Sequence, residues 1–262
     1  MSLISVPGSK LFAKVDGGGE KPWIVISNSL AADHTMWDRQ IDLLTQKYRV
    51  LRYDTRGHGK SEAPEGPYSF DMLASDAIAL MDYHSIRKAT FMGLSLGGAT
   101  ALAAGLKRPD RFERIVCCDV RADAPEPFLK GWAEREAAVD KDGIQAVVEG
   151  NLERWLVKSY RDANPDVVKE TTEMILRTSA TGWKGCVGAL RGLDLLRQLP
   201  DMKPPTVYVL GAEDMGAPYD AMKAMTAATP GAWLAIIPNA AHFPNVDNTP
   251  AFNAALASIL GI

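Results

Sequence analysis

Five residues around Ser95 combine a nucleophilic hydroxyl with a backbone that could expose it. Gly93-Leu94-Ser95-Leu96-Gly97 matches the pattern G-x-S-x-G, in which a serine lies on a sharp turn between a strand and a helix. An apolar run precedes the serine, and a helix of small residues is predicted after it. Flanking glycines lack the Cβ atoms that would clash in such a turn, and the helix N-terminus supplies free N–H groups. Ser95 is therefore the candidate nucleophile.

A serine hydroxyl needs a neighbouring base, and a histidine is the first choice. The chain has four histidines, at positions 34, 58, 84 and 242. In the G-x-S-x-G arrangement the acid and then the histidine follow the serine along the chain, so only His242 qualifies. Asp214, after the apolar run 206–210, and Asp119, after the run 114–118, are both candidate acids. We predict Asp214, because a G-x-x-D turn after the penultimate strand is the commoner arrangement. Asp119 is the rival, and whether it assists or replaces Asp214 stays open.

Two backbone N–H groups could hold the negative charge that develops on a carbonyl oxygen under attack. One belongs to Leu96, directly after the nucleophile. The other is predicted at Leu30, in the loop that follows the apolar run 23–27.

The elements that must position these residues alternate along the chain. Strands are predicted over 3–6, 11–15, 23–27, 48–54, 89–93, 114–118, 206–210 and 233–237, and helices over 38–46, 70–84, 96–107, 218–229 and 250–260. Strand–helix alternation with near-continuous apolar strands predicts an α/β fold whose sheet is mostly parallel and covered on both faces. Within residues 122–199 only helical periodicity is found. We predict a core formed by 1–121 and 200–262, with 122–199 inserted as a helical cap.

Composition excludes several classes of function. The net charge of −3 gives no reason to bind nucleic acid or an anionic membrane. Three cysteines, two of them adjacent, do not form a disulfide framework and favour a reducing compartment. No spacing is typical of a metal site, and the N-terminus does not resemble a signal peptide. The sequence therefore predicts a cytoplasmic protein without a membrane span, a metal or an organic cofactor.

Taken together, these motifs resemble the α/β-hydrolase superfamily over nearly the whole chain. Ser27-Asn28-Ser29-Leu30, residues 36–38, residues 51–59 and Gly66-Pro67-Tyr68 look like segments of 3-oxoadipate enol-lactonases. The resemblance implies an eight-stranded sheet with a helical cap, and hydrolysis of a small ester or lactone through an acyl-enzyme. Arg56, His58 and Gly59 carry no obvious chemistry, and we interpret them as scaffold for their turn.

The chain departs from that family at two places. Ala31 stands where the family usually has glycine, and residues 119–125 replace a Thr-Ala-Ala stretch. Asp119-Val120-Arg121-Ala122 instead resembles a segment of simple carboxylesterases. General carboxylesterases, carbon–carbon bond hydrolases and non-catalytic ligand-binding proteins of this fold therefore remain alternatives to a lactonase.

The cap contributes two candidate substrate-binding residues, Trp132 and Arg135, which also look like residues of the lactonase cap. They lie one helical turn apart and could line the same wall. An enol-lactone of the 3-oxoadipate type carries a carboxylate, which Arg135 could meet. A solvated helix face between Glu134 and Glu136 is the alternative interpretation, and Arg121 is a second candidate cation.

Overall fold

The computed structural model describes residues 2–262, so the first residue of the predicted core, Met1, lies outside the described residues. Across this range eight strands form one sheet. They are β1 (Ser2–Val6), β2 (Ser9–Asp16), β3 (Trp23–Ser27), β4 (Arg49–Tyr53), β5 (Ala89–Leu94), β6 (Phe112–Cys118), β7 (Thr206–Gly211) and β8 (Trp233–Ile237). Their order is β1-β2-β4-β3-β5-β6-β7-β8. Only the β1–β2 and β2–β4 pairs are antiparallel. The predicted, mostly parallel sheet is confirmed.

Eleven helices accompany the sheet within residues 2–262. They are α1 (Asp38–Lys47), α2 (Phe70–Tyr83), α3 (Leu96–Lys107), α4 (Glu126–Asp142), α5 (Val148–Trp155), α6 (Lys158–Ala163), α7 (Pro165–Leu176), α8 (Ala180–Arg191), α9 (Tyr219–Ala228), α10 (Pro244–Asp247) and α11 (Thr249–Leu260). Helix α2 packs on α3, and α1 packs on α11. All residues of β5 and β7 are buried, as parallel strands covered on both faces require.

Helix α3 lies close to the centre of the sheet because its first two turns contain a run of small residues, 97–101. All of its residues from Leu96 to Gly105 are buried. A Cβ atom on Gly97 would lie 2.5 Å from the Ser27 carbonyl carbon, which is closer than atoms can approach. The small residues of α3 therefore let the helix begin directly against β3 and fix the turn between β5 and α3.

Helices α4–α8 lie between β6 and β7 and occupy the region predicted as an insertion. One joint to the rest of the protein is a close backbone contact, since a Cβ atom on Gly57 would collide with Gly182 of α8. Next to it the Ser179 N–H donates to the Gly57 carbonyl oxygen at 2.8 Å. The insertion is thereby held against the loop that follows β4.

A second joint ties the end of α5 to the loop after β8. The Phe243 N–H donates to the Trp155 carbonyl oxygen at 2.9 Å, and the His242 N–H reaches the Arg154 carbonyl oxygen at 3.4 Å. The Val157 N–H donates to the Asp247 carboxylate at 3.1 Å. The insertion and the loop that carries His242 therefore share hydrogen bonds.

Candidate active site

The backbone of Ser95 is strained in the manner expected of an exposed nucleophile. Ser95 lies between β5 and α3 with φ 55° and ψ −113°, a region that residues with a Cβ atom rarely adopt. Its N–H donates to the Cys118 carbonyl oxygen at 2.9 Å, which ties the turn to the end of β6. A Cβ atom on Gly93 would collide with the backbone of Gly97. The two glycines therefore permit the sharp turn that the motif predicts.

His242 and Asp214 form a buried hydrogen-bonded pair. The His242 Nδ1 atom lies 2.8 Å from Asp214 Oδ2. The Asp214 carboxylate also accepts the Gly216 N–H at 2.7 Å and the Ala217 N–H at 3.2 Å. These bonds fix the carboxylate, which in turn fixes the tautomer and ring orientation of His242 and leaves its Nε2 atom for acid–base chemistry. The adjacent Glu213 is exposed.

The two predicted oxyanion donors lie at backbone positions without competing acceptors. Leu96 is the first residue of α3, where a helix leaves the N–H without an intrahelical partner. No acceptor for the Leu30 N–H is found within residues 2–262. Leu30 lines the same cavity as Ser95.

The loop after Leu30 is held by His58, a residue interpreted from sequence as scaffold. Ala31 has φ 61°, and its N–H donates to His58 Nε2 at 2.9 Å. The His58 Nδ1 atom donates to the Arg56 carbonyl oxygen at 2.8 Å. Burial lowers the pKa of His58, so the ring stays neutral, as acceptance at Nε2 requires. The buried imidazole thus shapes the loop that carries the Leu30 donor.

Ser95, Asp214 and His242 border a cavity of about 460 Å³ that is roofed by the insertion. Its lining from the insertion includes residues spaced along one face of α4 and two residues at the end of α5, namely Phe128, Trp132, Arg135, Arg154 and Trp155. Their aromatic surface makes most of the cavity wall apolar. Trp132 Nε1 is buried and has no acceptor within the described residues.

Three arginines line the cavity and differ in their partners. Arg121 forms an ion pair with Asp123 at 2.8 Å. Arg135 lies with its guanidinium 4.6 Å from the centre of the Trp132 ring, and no acidic partner is found for it in residues 2–262. Arg154 donates to Asn151 Oδ1 at 2.7 Å and likewise has no acidic partner there. Burial lowers the pKa of Arg135 and, with the Arg135 charge as second cause, lowers the pKa of Arg154 to about 10.

Two side-chain clusters have donor atoms close enough to surround a cation. One consists of Asp119, Asp214 and His242, whose donor atoms lie within 4.8 Å of one another. The other consists of Asp33, His34 and Asp54, in which His34 Nδ1 already lies 2.7 Å from Asp54 Oδ1. In each cluster the histidine Nδ1 atom is already hydrogen-bonded to an aspartate of that cluster.

Comparison with known proteins identifies the family. The sequence model of the family described as "alpha/beta hydrolase fold" matches residues 22–249. The chain belongs to the α/β-hydrolase family. Two curated relatives are 3-oxoadipate enol-lactonases of Acinetobacter baylyi. One is 31% identical and covers 93% of this chain and 90% of its own. The other is 34% identical over 79% and 77% of the two chains.

Solved structures agree with the sequence relatives. The crystal structure of the enol-lactonase from Burkholderia xenovorans LB400 matches with a TM-score of 0.95 and 34% identity, and it covers 100% of both chains. These relatives place the protein among the hydrolases, which confirms the predicted enzyme class. No helix in residues 2–262 has both the length and the apolar character needed to cross a bilayer.

In this α/β-hydrolase, one cavity residue could not be identified from sequence, and the role of a second was left open. Arg154 was not singled out, although its position beside a tryptophan, with no acidic residue three or four positions away, was a usable signal. For Asp119 the sequence left open whether it assists or replaces Asp214. It borders the same cavity and lies beside Asp214, whereas His242 is hydrogen-bonded to Asp214.

Proposed function

We propose that the protein is a serine hydrolase that cleaves a small lactone or ester carrying a carboxylate group, resembling a 3-oxoadipate enol-lactonase. One observation carries this proposal. A single cavity is lined on the side of the sheet by Ser95 and the Asp214–His242 pair. On the side of the insertion, the same cavity is lined by two arginines that have no acidic partner in residues 2–262.

In the proposed reaction Ser95 Oγ attacks the carbonyl carbon while His242 Nε2 accepts its proton. The Asp214 carboxylate stabilises the resulting imidazolium through Nδ1. The N–H groups of Leu30 and Leu96 would hold the oxyanion. The protonated histidine then gives its proton to the leaving oxygen, and water attacks the acyl-enzyme with His242 as the base. In a lactone the leaving oxygen stays attached to the acyl chain, so ring opening and hydrolysis give one product.

The insertion is proposed to act as the cap that selects the substrate. Arg135 and Arg154 are half-buried cations without carboxylate partners, and a substrate carboxylate would supply the missing charge. The buried Trp132 Nε1 offers a further hydrogen-bond donor. The aromatic walls would enclose the apolar part of a small substrate. The names of the relatives, which are 3-oxoadipate enol-lactonases, support this substrate class.

A general carboxylesterase is the second candidate. It is favoured by the Asp-x-Arg-Ala stretch from Asp119, in which Arg121 lines the cavity with its charge already neutralised by Asp123. An esterase of this type would accept neutral esters as well as acidic ones.

The test compares the enol-lactone with a neutral methyl ester of similar size, in wild type and in Ser95→Ala. We expect wild type to favour the acidic lactone in kcat/KM, and Ser95→Ala to lose about 10⁴-fold or more against both substrates. A serine-directed phosphonate should label wild type with one equivalent and leave the variant unlabelled. Near-normal turnover by folded Ser95→Ala would overturn the serine mechanism, and a preference for the neutral ester would favour the carboxylesterase.

A further inference from the structure

We propose that Asp119 is a positioning residue that carries a proton in the active enzyme and donates a hydrogen bond to the Asp214 carboxylate. Asp119 would then act through Asp214, and the catalytic groups would remain Ser95, His242 and Asp214. This inference rests on the proposed serine mechanism.

The backbone at Asp119 holds its side chain in a fixed place. Asp119 follows β6 with φ 46°, a left-handed conformation that aspartate tolerates better than most residues. Its N–H donates to the Val209 carbonyl oxygen at 2.9 Å, and its Oδ1 atom accepts the Gly211 N–H at 2.7 Å. The carboxyl group is therefore held between the ends of β6 and β7, next to the turn after β7 that contains Asp214.

The second oxygen of this carboxyl group lacks a donor. Asp119 Oδ2 is buried, and no N–H or hydroxyl group of residues 2–262 donates to it. A buried carboxylate oxygen without a donor is unfavourable, whereas a protonated oxygen can itself donate. The donor atoms of Asp119, Asp214 and His242 lie within 4.8 Å of one another, and a side-chain hydrogen bond with Asp214 is among the causes that raise the pKa of Asp119.

Two buried carboxyl groups this close together do not both ionise readily, because the negative charge of one opposes ionisation of the other. The pair therefore tends to keep one proton. Neither group has an arginine or lysine partner in the described chain. Asp214 accepts three N–H groups, which favours its ionised form, whereas Asp119 accepts one. The proton therefore belongs on Asp119.

The surroundings of Asp119 agree with that assignment. The titratable groups that face it are Asp214 after β7, His242 after β8, Asp247 of α10 and the Cys118 thiol on its own strand. Burial first, and then the charge of Asp214, raise the pKa of Asp119 well above its ordinary value. When His242 accepts the Ser95 proton, the imidazolium faces a single negative charge on Asp214, and the Asp119 proton stays on Oδ2.

Two variants separate this role from a merely structural one. Asp119→Asn keeps an oxygen for the Gly211 N–H and an N–H for Asp214, so it imitates the protonated acid. Asp119→Leu keeps the branching and the number of side-chain heavy atoms, although it is larger, and it has no donor. With 4-nitrophenyl acetate we expect the Asn variant to keep kcat within about threefold of wild type, and the Leu variant to lose about tenfold or more in kcat with little change in KM.

The acid limb of the kcat/KM profile, which reports protonation of the catalytic base, gives the sharper readout. With a neutral Asp119, Asp119→Asn removes no charge, so the limb stays in place. If Asp119 were ionised, the Asn variant would lose a negative charge beside His242 and the limb would move to lower pH. In Asp119→Leu we expect the acid limb of the kcat/KM profile to move, because the hydrogen bond to Asp214 is lost.

Infrared spectroscopy tests the proton without turnover. Wild type at neutral pH should show the carbonyl stretch of a protonated carboxyl group, and Asp119→Asn should lack it. This measurement still decides the matter if the Leu variant fails to fold. A missing band, a shifted limb in Asp119→Asn, or equal activity of folded Leu and Asn variants would overturn the proposal. Failure of the serine mechanism itself would appear instead as turnover by Ser95→Ala.

Discussion

Replacing Arg154 with methionine should weaken binding of an acidic substrate selectively. The pKa of Arg154 is lowered to about 10, so at neutral pH its guanidinium still carries nearly a full charge. Arg135 lies in the same cavity and is also cationic. In the free enzyme these two charges repel each other without a carboxylate between them. A substrate carboxylate would relieve that repulsion and accept hydrogen bonds from both groups.

The expected magnitude follows from the strength of such bonds. A hydrogen bond to a charged group contributes roughly 1.5–3 kcal/mol, which corresponds to a factor of about 10–150 in binding. Arg154→Met should therefore raise KM for the enol-lactone by about 10–100-fold, with kcat changed little if the ground state and the transition state feel the charge equally. Arg135→Met should also raise KM for the enol-lactone. The neutral methyl ester of similar size should keep its KM.

Arg121→Met is the matched control. Arg121 lines the same cavity, but Asp123 already neutralises its charge at 2.8 Å. Steady-state kinetics of the three variants on both substrates should show a KM change below about threefold for Arg121→Met. The reasoning is refuted if Arg154→Met raises KM equally for lactone and neutral ester, or if Arg121→Met matches it.

Three further outcomes can be measured. Asp214→Asn should lower kcat by about 10⁴-fold on an aryl ester, because the amide would favour the wrong tautomer of His242, and loss of only a few-fold would contradict the assigned acid. Ala31→Gly should increase the free energy of unfolding by about 1 kcal/mol, because Ala31 has φ 61°, which a residue with a Cβ atom adopts only at a cost. Urea titration measures this difference, and a decrease in the free energy of unfolding would show that the loop is not strained. Burial raises the pKa of Asp247 to about 6, above its unfolded value, so this group stabilises the fold at low pH and loses that contribution as the pH rises through about 6. Wild type should therefore lose stability relative to Asp247→Asn between about pH 4 and pH 6, and a constant difference across that range would exclude the effect.

The sheet could be predicted from sequence because its strands are continuous apolar runs bounded by turns. β3 and β8 have the predicted bounds, and β5 extends one residue further. Ser95 and His242 could be named for a related reason, since each lies within five residues of the end of a predicted strand. Their catalytic roles stay predictions.

The acid and the substrate-binding residues depend on contacts that local sequence does not specify. Asp119 and Asp214 follow strands that are neighbours in the sheet, and only the three-dimensional turn after β7 brings one of them to Nδ1 of His242. Arg154 lies on the eight-residue helix α5, too short for its inner face to be read from periodicity. Arg135, for which a solvated helix face was an alternative interpretation, is half-buried beside Trp132.

The hydrogen bonds between the end of α5 and the loop after β8 limit how this enzyme can be recombined with its relatives. Trp155 and Val157 of the insertion bond to Phe243 and Asp247, and these lie almost a hundred residues away in the chain. A chimaera that exchanged only residues 122–199 would therefore also alter the backbone support of His242. Exchanging residues 239–248 together with the insertion would transfer both halves of the joint. In this protein, the segment that could change specificity and the segment that carries His242 should therefore be exchanged together.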